Sequence, residues 1–293
     1  MRIGAIDMGT NSTRLLIADY SYQGVQEIYK DLRTTRIGEG MEKFREIKPQ
    51  VLQRTIDCLQ EYQRKCALYQ VETIRTVATS AVRDASNKVW VLEQIKEKTG
   101  LTVQVLTGTE EAKLSYLGAT GGEGVEGLPK MVVDIGGGST ELIYPTPEGI
   151  EFKSVNLGAV RLKENKDLKP RVQEILKQLI TSQFPSNFTL IGVGGTITTL
   201  AAIKLELETY DGEQVEGFKL TSPEISQIYN QLITMSLAQR KNLKGLQPER
   251  ADIITYGTLI LKELLRMLDK DEITVSEKDI LQGIIITTAK GES

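Results

Sequence analysis

A pattern that occurs twice constrains the fold of this chain more than any other feature of its sequence. One copy runs Met131-Val-Val-Asp-Ile-Gly-Gly-Gly-Ser-Thr-Glu-Leu-Ile-Tyr144, and the other runs Ile6-Asp-Met-Gly-Thr-Asn-Ser-Thr-Arg-Leu-Leu-Ile17. In both, an apolar run ends in Asp and continues through glycine and Ser-Thr into a second apolar run, which is the pattern of a β-hairpin. The repeat predicts two similar halves that face one another and grip phosphates between two loops.

The glycine-containing turns hold the first candidate binding groups. Glycine lets the backbone approach a ligand closely and direct several N–H groups at one anion. An acid at the end of a strand can hold Mg²⁺ through oxygen. A single glycine-rich hairpin is usually only a tight turn, but overlaying the copies aligns three pairs: Asp7 with Asp134, Gly9 with Gly136, and Ser12 with Ser139.

Composition limits the class of protein and its chemistry. The 293 residues suit one large or two ordinary domains, and 40% hydrophobic and 26% charged residues are normal for a globular protein. Neither a membrane-spanning run nor a signal-peptide pattern is present, so we expect a cytoplasmic protein. The absence of histidine excludes Ser-His-Asp and Cys-His catalysis and leaves acid–base work to Asp, Glu, Lys, Tyr or Cys.

The first half of the chain predicts the order βββαβαβα. Three strands (3–7, 14–20 and 25–33) precede a helix after Pro49, and strands follow at 72–78 and 101–106. Asp84 is the expected N-cap of a helix that ends at Gly100. Thr109 is the expected N-cap of the next helix, which Gly118 stops. The segment 33–40 is expected to be a solvated connector, and Cys58 and Cys66 are too far apart on their helix for a disulfide.

The second half predicts the same order with an insertion near 206–250. It begins with the hairpin over 131–144 and a strand near 149–156. A helix at 170–182 comes next, and a strand, a glycine turn and a helix follow over 190–200. The last predicted elements are helices at 222–235 and 250–268, a strand at 272–275 and a helix at 277–290. Gly121–Gly127 is the expected linker. The predicted fold class is α/β, with domains 1–124 and 125–293, and helix 277–293 able to pack back on the first domain.

Six stretches resemble the exopolyphosphatase / guanosine pentaphosphate phosphohydrolase family of the actin-like ATPase superfamily. They are Asp7–Arg14, Ala78–Asp84, Gly108–Ala112, Val133–Glu141, Gly192–Thr196 and Pro248–Ile253. The resemblance spans both halves. It implies two actin-like, ribonuclease H-like domains with an active site in the cleft between them. The expected reaction removes the terminal phosphate from polyphosphate or from guanosine pentaphosphate.

The resemblance also implies roles for single residues. Glu111 is the expected catalytic base, although two glutamates in a first helical turn are favoured by the helix dipole anyway. Asp134 is a catalytic acid of the site, and Asp7 and Asp134 together are the expected ligands of Mg²⁺ or Mn²⁺, hard ions that suit oxygen ligands. The expected phosphate-binding residues are Thr10, Asn11, Ser12, Arg14, Arg83, Gly136, Gly137, Gly138, Ser139, Glu141, Gly194 and Gly195, the last two at a helix N-terminus.

Several alternatives stay open at this point. The sequence does not separate polyphosphate from guanosine pentaphosphate, and a phosphotransferase or a nucleotide-binding sensor of the same superfamily remains a rival. Neither nucleic acid nor membrane is an expected partner, and a homodimer is left open. Longer relatives continue into helical C-terminal domains, so for this chain we expect frequent release of long polyphosphate substrates.

Overall fold

A computed structural model describes the chain except residues 42–44, 122–127, 148, 182–183, 186 and 293 and the side chains of 166 and 168. The chain divides into two compact units, Met1–Glu123 with Ile280–Ser293, and Gly124–Asp279. Apart from Gly121, the predicted linker lies outside the described residues. Each unit is built on one mixed β-sheet.

The sheet of the first unit has the strand order β3-β2-β1-β4-β5. Strands β1 (Arg2–Met8), β2 (Thr13–Ser21) and β3 (Gly24–Arg33) form an antiparallel meander. Strands β4 (Thr73–Ala78) and β5 (Val103–Val105) extend it in parallel from β1. Because β1 is central and its apolar side chains alternate between the two faces, both faces must be covered by helices.

Helices cover both faces of this sheet. Helices α1 (Pro49–Leu68) and α3 (Lys88–Thr99) bury the face that carries Ile6 and Met8, and α2 (Ser80–Asp84) follows β4. Helices α4 (Gly108–Thr120) and α12 (Ile280–Ala289) bury the face that carries Ile3 and Ala5. The last helix of the chain therefore completes the core of the first unit.

The sheet of the second unit repeats this order and adds one edge strand. The meander consists of β6 (Lys130–Ile135), β7 (Thr140–Thr146) and β8 (Gly149–Val155). It is extended in parallel by β9 (Thr189–Val193) and then by β11 (Glu272–Val275). The edge strand is β10 (Lys219–Thr221), which pairs with β11 in antiparallel orientation. The order β8-β7-β6-β9-β11 matches β3-β2-β1-β4-β5, so two actin-like halves are confirmed.

The helices of the second unit follow the same plan. They are α5 (Ala159–Glu164), α6 (Val172–Leu176), α7 (Gly195–Lys204), α8 (Gly212–Val215), α9 (Ser222–Thr234), α10 (Leu237–Lys241) and α11 (Ile254–Leu268), with 3₁₀ turns at Lys166–Arg171 and Pro248–Arg250. The segment between α7 and α11 is the predicted insertion. None of the described helices has the length and apolar content needed to cross a bilayer.

The two hairpins match at the level of single hydrogen bonds. The N–H of Gly9 donates to the carbonyl of Ser12 at 3.0 Å, and the N–H of Gly136 donates to that of Ser139 at 3.0 Å. In the ladders Asp7 lies opposite Arg14, and Asp134 lies opposite Glu141. The predicted duplication of the hairpin is confirmed.

Two predicted helix starts were wrong. Asp84 is the last residue of α2, and α3 starts only at Lys88, after Asn87, whose amide binds both backbone groups of Ile47. Helix α4 is capped by Thr107 and not by Thr109, because Thr107 and Glu110 form a reciprocal capping box.

Two further helix predictions need correction. Helix α4 continues past Gly118 to Thr120 and ends at Gly121, which has a left-handed backbone. The predicted helix 170–182 is a 3₁₀ turn over Lys166–Arg171 followed by the short α6. Pro170 has no N–H to donate into a regular helix, which accounts for the irregular start.

The crossing of α4 and α12 generates a stability prediction. A Cβ atom added at Gly283 would lie 2.7 Å from the carbonyl carbon of Leu114 and 2.9 Å from its Cα. On helix propensity alone, Gly283→Ala would stabilise the protein by about 1 kcal/mol. Because the clash is with backbone, we expect it to destabilise the protein by roughly 1–3 kcal/mol.

Urea unfolding measures this effect. Leu68→Ala, at a side chain that is 72% exposed, serves as the control and should change the free energy of unfolding by less than about 0.5 kcal/mol. A Gly283→Ala protein more stable than the wild type would contradict the proposed close packing of α4 on α12.

Candidate active site

The turn after β1 is lined by buried polar side chains. Thr10, Asn11 and Ser12 are each 8% exposed. The amide nitrogen of Asn11 donates to the hydroxyl of Ser12 at 3.1 Å, and Asn11 Oδ1 is buried without a hydrogen-bond partner in the part of the chain described. Turning this amide by 180° exchanges its oxygen and nitrogen, so the side chain can present either an acceptor or an N–H donor.

Asp7, at the end of β1, forms an ion pair with its cross-strand neighbour. Arg14 donates to Asp7 Oδ2 from Nε at 3.0 Å and from Nη2 at 2.7 Å. The two side chains are only 5% and 19% exposed, respectively. The cation therefore offsets the charge of Asp7 inside the unit, and the carboxylate in turn orients the guanidinium.

The segment after β3 was wrongly predicted to be a solvated connector. Its N–H groups bind the turn after β1, with Gly38 donating to the carbonyl of Thr10 at 3.0 Å and Arg36 to that of Asn11 at 2.8 Å. Ile37 is fully buried. A Cβ atom at Gly38 would collide with the Thr10 methyl group, so glycine is required for this close contact. The turn is thus supported from one side by its own domain.

Helix α2 links this turn to the start of α4. The hydroxyl of Thr10 lies 2.8 Å from that of Ser80, at the first residue of α2. At the other end of α2, Arg83 Nη1 donates to Glu111 Oε2 at 2.9 Å and to the carbonyl of Leu106 at 3.1 Å. The structure therefore joins Thr10, Arg83 and Glu111 through one short helix.

The two neighbouring glutamates at the start of α4 have different surroundings. The carboxylate of Glu110 accepts hydrogen bonds from the backbone N–H and the hydroxyl of Thr107, each at 2.8 Å. These two bonds lower the pKa of Glu110. Glu110 is therefore committed to capping the helix. Glu111, 12% exposed at its side chain, points to Arg83 instead.

In the second unit, the glycine turn is held by its carbonyl groups. Backbone N–H groups at the start of α5 donate to the carbonyls of Gly136 and Gly137, at 2.8–3.0 Å, and Arg161 Nε donates to that of Gly138 at 2.8 Å. A Cβ atom at Gly158 would lie 2.5 Å from the carbonyl oxygen of Gly137. Only glycine allows this approach.

This anchoring sets the direction of the backbone donors. In a trans peptide, the C=O of one residue and the N–H of the next point in opposite directions, and the described backbone has no cis peptides. Because the three carbonyls face α5, the N–H groups of Gly137, Gly138 and Ser139 face away from it. Three N–H groups on one side of a turn are the kind of donor set that can make an anion-binding nest.

Two carboxylates lie side by side beside this nest. Asp134 and Glu141 are directly opposite each other in the antiparallel ladder of β6 and β7, so their side chains leave the same face of the sheet. Glu141 is 2% exposed and accepts a hydrogen bond from the Ser154 hydroxyl at 2.7 Å. The equivalent pair in the first unit is Asp7 with Arg14, an acidic side chain opposite a basic one.

The N-terminus of α7 adjoins Asp134. Gly194 has a left-handed φ of 86°, and a Cβ atom there would lie 2.5 Å from Asp134 Oδ1. A Cβ atom at Gly195 would collide with the guanidinium of Arg250, which the side chain of Gln247 holds at Nε. Glycines here let a carboxylate and a guanidinium lie close to the backbone at the N-terminus of α7.

Both cysteines and one buried tyrosine are unsuited to acid–base catalysis near neutral pH. Cys58 and Cys66 are free and buried in α1, and burial raises the pKa of both thiols to about 11. Burial likewise raises the pKa of Tyr62, whose hydroxyl donates to the Thr13 carbonyl at 2.9 Å. These three groups are therefore poor candidates for the base.

The donor set can be tested against a hard metal ion. The described residues contain no group of three His, Cys, Asp or Glu that could hold one. Mg²⁺ however needs only one or two carboxylates beside substrate phosphates. Asp134, with Glu141 beside it, fits that requirement. Asp7 fits it less well than the sequence predicts, since Arg14 already offsets its charge.

Each of the predicted site residues lies in one of two groups, one in each unit. In the first unit these are Asp7, Thr10, Asn11, Ser12, Arg14, Arg83 and Glu111; in the second they are Asp134, Gly136, Gly137, Gly138, Ser139, Glu141, Gly194 and Gly195. Gly38, Gly158, Arg161 and Arg250 contact these groups but were not predicted from the sequence. Arg250 lies in a stretch that carries the family resemblance, which is the signal that could have found it.

Comparison with known proteins places the chain among phosphatases. The sequence profile of the Ppx/GppA phosphatase family matches residues 16–292. Exopolyphosphatase 2 of Mycobacterium tuberculosis is 33% identical, with 98% of each chain covered. A bifunctional 3-dehydroquinate synthase/phosphatase of Fusobacterium nucleatum is 37% identical over 96% of this chain and 46% of the relative. The chain thus spans less than half of that longer relative.

A third relative and a solved structure complete the comparison. The guanosine-5'-triphosphate,3'-diphosphate pyrophosphatase of Vibrio parahaemolyticus is 27% identical, with 96% of this chain and 58% of the relative covered. The crystal structure of the Aquifex aeolicus Ppx/GppA protein superposes with a TM-score of 0.81 at 29% identity, covering 100% of this chain and 99% of that one. By sequence and by fold, the chain belongs to the Ppx/GppA phosphatase family.

Proposed function

We propose that this hydrolase releases the terminal phosphate of inorganic polyphosphate. The observation that carries the proposal is the glycine turn of the second unit, whose carbonyls are tied to α5 so that three N–H groups face away from it. A terminal phosphoryl group offers several oxygens to such donors. The match to Exopolyphosphatase 2, which extends over 98% of both chains, supports polyphosphate as the substrate class.

The second unit supplies phosphate-binding groups in this mechanism. Phosphoryl transfer requires mainly correct positioning and neutralisation of charge on the transferred group. The N–H groups of Gly137, Gly138 and Ser139 bind its oxygens. The guanidinium of Arg250 and the N-terminus of α7 add positive charge beside Asp134.

Glu111 is the proposed base. Glu111 accepts a proton from the attacking water, so that oxygen attacks the terminal phosphorus and the bridging bond to the chain breaks. The products are inorganic phosphate and a chain shortened by one unit. Arg14, oriented by Asp7, and the amide of Asn11 are the polar groups of the first unit that suit phosphate oxygens.

A divalent ion completes the charge balance in our proposal. Asp134, supported by Glu141, would hold Mg²⁺ or Mn²⁺, which neutralises charge on phosphate oxygens when bound. The pairing of Asp7 with Arg14 argues for Asp134 as the main ligand.

A second candidate substrate is guanosine pentaphosphate, converted to the tetraphosphate. The Vibrio relative supports it by its name, at 27% identity and over 58% of that longer protein. Both substrates end in a phosphoanhydride and need the same groups. Polyphosphate is our first proposal because its supporting relative matches this chain end to end.

The cytoplasm is the proposed site of action. Both cysteines are unpaired and buried, as is usual for proteins of a reducing compartment. A homodimer stays an open prediction.

Glu111→Gln tests the assigned base. The substitution keeps the size of the side chain but removes its ability to accept a proton, so kcat for phosphate release from polyphosphate should fall about 10²–10⁴-fold. KM should change little, because Glu111 is proposed to act on water. Steady-state measurement of released phosphate determines both constants.

Glu110→Gln is the matched control. Glutamine can replace glutamate in the capping box, so kcat should fall by at most a few-fold. A dead Glu110→Gln enzyme beside an active Glu111→Gln enzyme would reverse the assignment within the pair. Normal turnover in both variants would show that neither glutamate is the catalytic base.

Metal dependence provides another prediction. Excess chelator should abolish phosphate release, and added Mg²⁺ or Mn²⁺ should restore it. Asp134→Asn should raise the concentration of Mg²⁺ needed for half-maximal activity by at least about tenfold, the usual size of effects on metal affinity, and Asp7→Asn should raise it less. Full activity in chelator would contradict the metal proposal, and equal shifts would contradict the ranking of ligands.

A further inference from the structure

Arg83 is bound to two acceptors at the start of α4. Its Nη1 donates to the carbonyl of Leu106 at 3.1 Å and to Glu111 Oε2 at 2.9 Å. Its Nε lies 3.8 Å from Asp84 Oδ1. The Arg83 side chain is 21% exposed and that of Glu111 is 12% exposed. The guanidinium thus bridges a backbone carbonyl and the carboxylate of the proposed base.

The partners of this bridge are themselves fixed. Leu106 directly precedes Thr107, the N-cap of α4, and the capping box with Glu110 holds the backbone there. Arg83 belongs to α2, which is anchored through the hydroxyls of Ser80 and Thr10. A planar guanidinium between two fixed points restricts the orientation of the carboxylate that it binds.

We propose that Arg83 is a positioning residue that acts through Glu111, holding its carboxylate in the correct orientation for the attacking water. This inference rests on the function proposed above. It differs from the role that the family resemblance implies for Arg83, which is direct binding of a substrate phosphate.

The two roles predict different kinetics. If Arg83 binds phosphate, its removal lowers the affinity for substrate, whether or not Glu111 is present. A residue that acts through Glu111 lowers kcat with little change in KM, and its removal has no further effect once Glu111 is gone.

A double-mutant cycle separates them. It compares the wild type, Arg83→Gln, Glu111→Gln and the double variant, with tripolyphosphate as substrate. We expect Arg83→Gln to lower kcat by about 10–100-fold, as loss of a well-oriented base would, with KM within about threefold. In the Glu111→Gln background, the same change should lower the residual kcat by less than about threefold.

Binding to the inactive proteins gives a second readout. Calorimetry should give the same Kd for tripolyphosphate with Glu111→Gln and with the double variant, within about threefold. Arg83→Lys, which retains one charged donor but not the planar geometry, should recover part of the lost kcat. Independent multiplication of the two effects, or a tenfold weaker Kd in the double variant, would overturn the proposal and make Arg83 a phosphate ligand.

Two controls keep the result decisive. Thermal unfolding reports whether the Arg83→Gln protein is folded. The second control is Arg2→Gln, which removes the ion pair between Arg2 and Asp19 at the start of β1, at the other end of this strand from Asp7. Arg2→Gln should leave kcat and KM unchanged. If Glu111→Gln retains turnover, the proposed base fails together with this inference. If Glu111→Gln is inactive but the Arg83 effect adds independently, only the positioning role fails.

Discussion

The anchoring of carbonyl groups behind each glycine turn is the constraint on which the candidate site depends. In the second unit, α5 binds the carbonyls of Gly136, Gly137 and Gly138. In the first unit, the segment after β3 binds the carbonyls of Thr10 and Asn11. Because peptide groups are planar and trans, satisfying the acceptors on one side presents the donors on the other. Both turns thereby present backbone donors on the side away from the supporting segment.

The supporting segments are equivalent in the two units. Each follows the third strand of its meander, and each carries a glycine that packs directly on the turn, Gly38 against Thr10 and Gly158 against Gly137. The duplication therefore includes the backbone that holds the hairpin in place. The side chains have diverged on this common frame: Asp7 faces a base, Arg14, and Asp134 faces an acid, Glu141. One copy thus holds a cation next to its acid, while the other places two acids side by side.

Much of the fold was predictable because the repeated pattern is local. The hairpins and the order of strands along the chain follow from alternation and glycine position, and they are confirmed. The helix starts were less predictable. Thr107 and Thr109 are both plausible caps, and only the partner three residues later, Glu110, selects Thr107.

The missed residues share a physical reason. Gly38, Gly158, Arg161 and Arg250 act at long sequence distance, through contacts that no local pattern encodes. The segment 33–40 has the polar, glycine-rich composition of a surface loop, yet its backbone is used to support another turn. Conversely, the family resemblance selected Glu111 from the Glu-Glu pair, and the capping box gives a physical reason to prefer it over Glu110.

The proposed reaction removes a terminal phosphate and transfers it to water. It can be tested by incubating the protein with polyphosphate, guanosine pentaphosphate and ATP in parallel, in ¹⁸O-labelled water, and following the released phosphate by mass spectrometry. We expect release from polyphosphate, with one labelled oxygen in each phosphate and chains shortened from the end. Release from none of the three, or unlabelled phosphate found on an added acceptor, would contradict it.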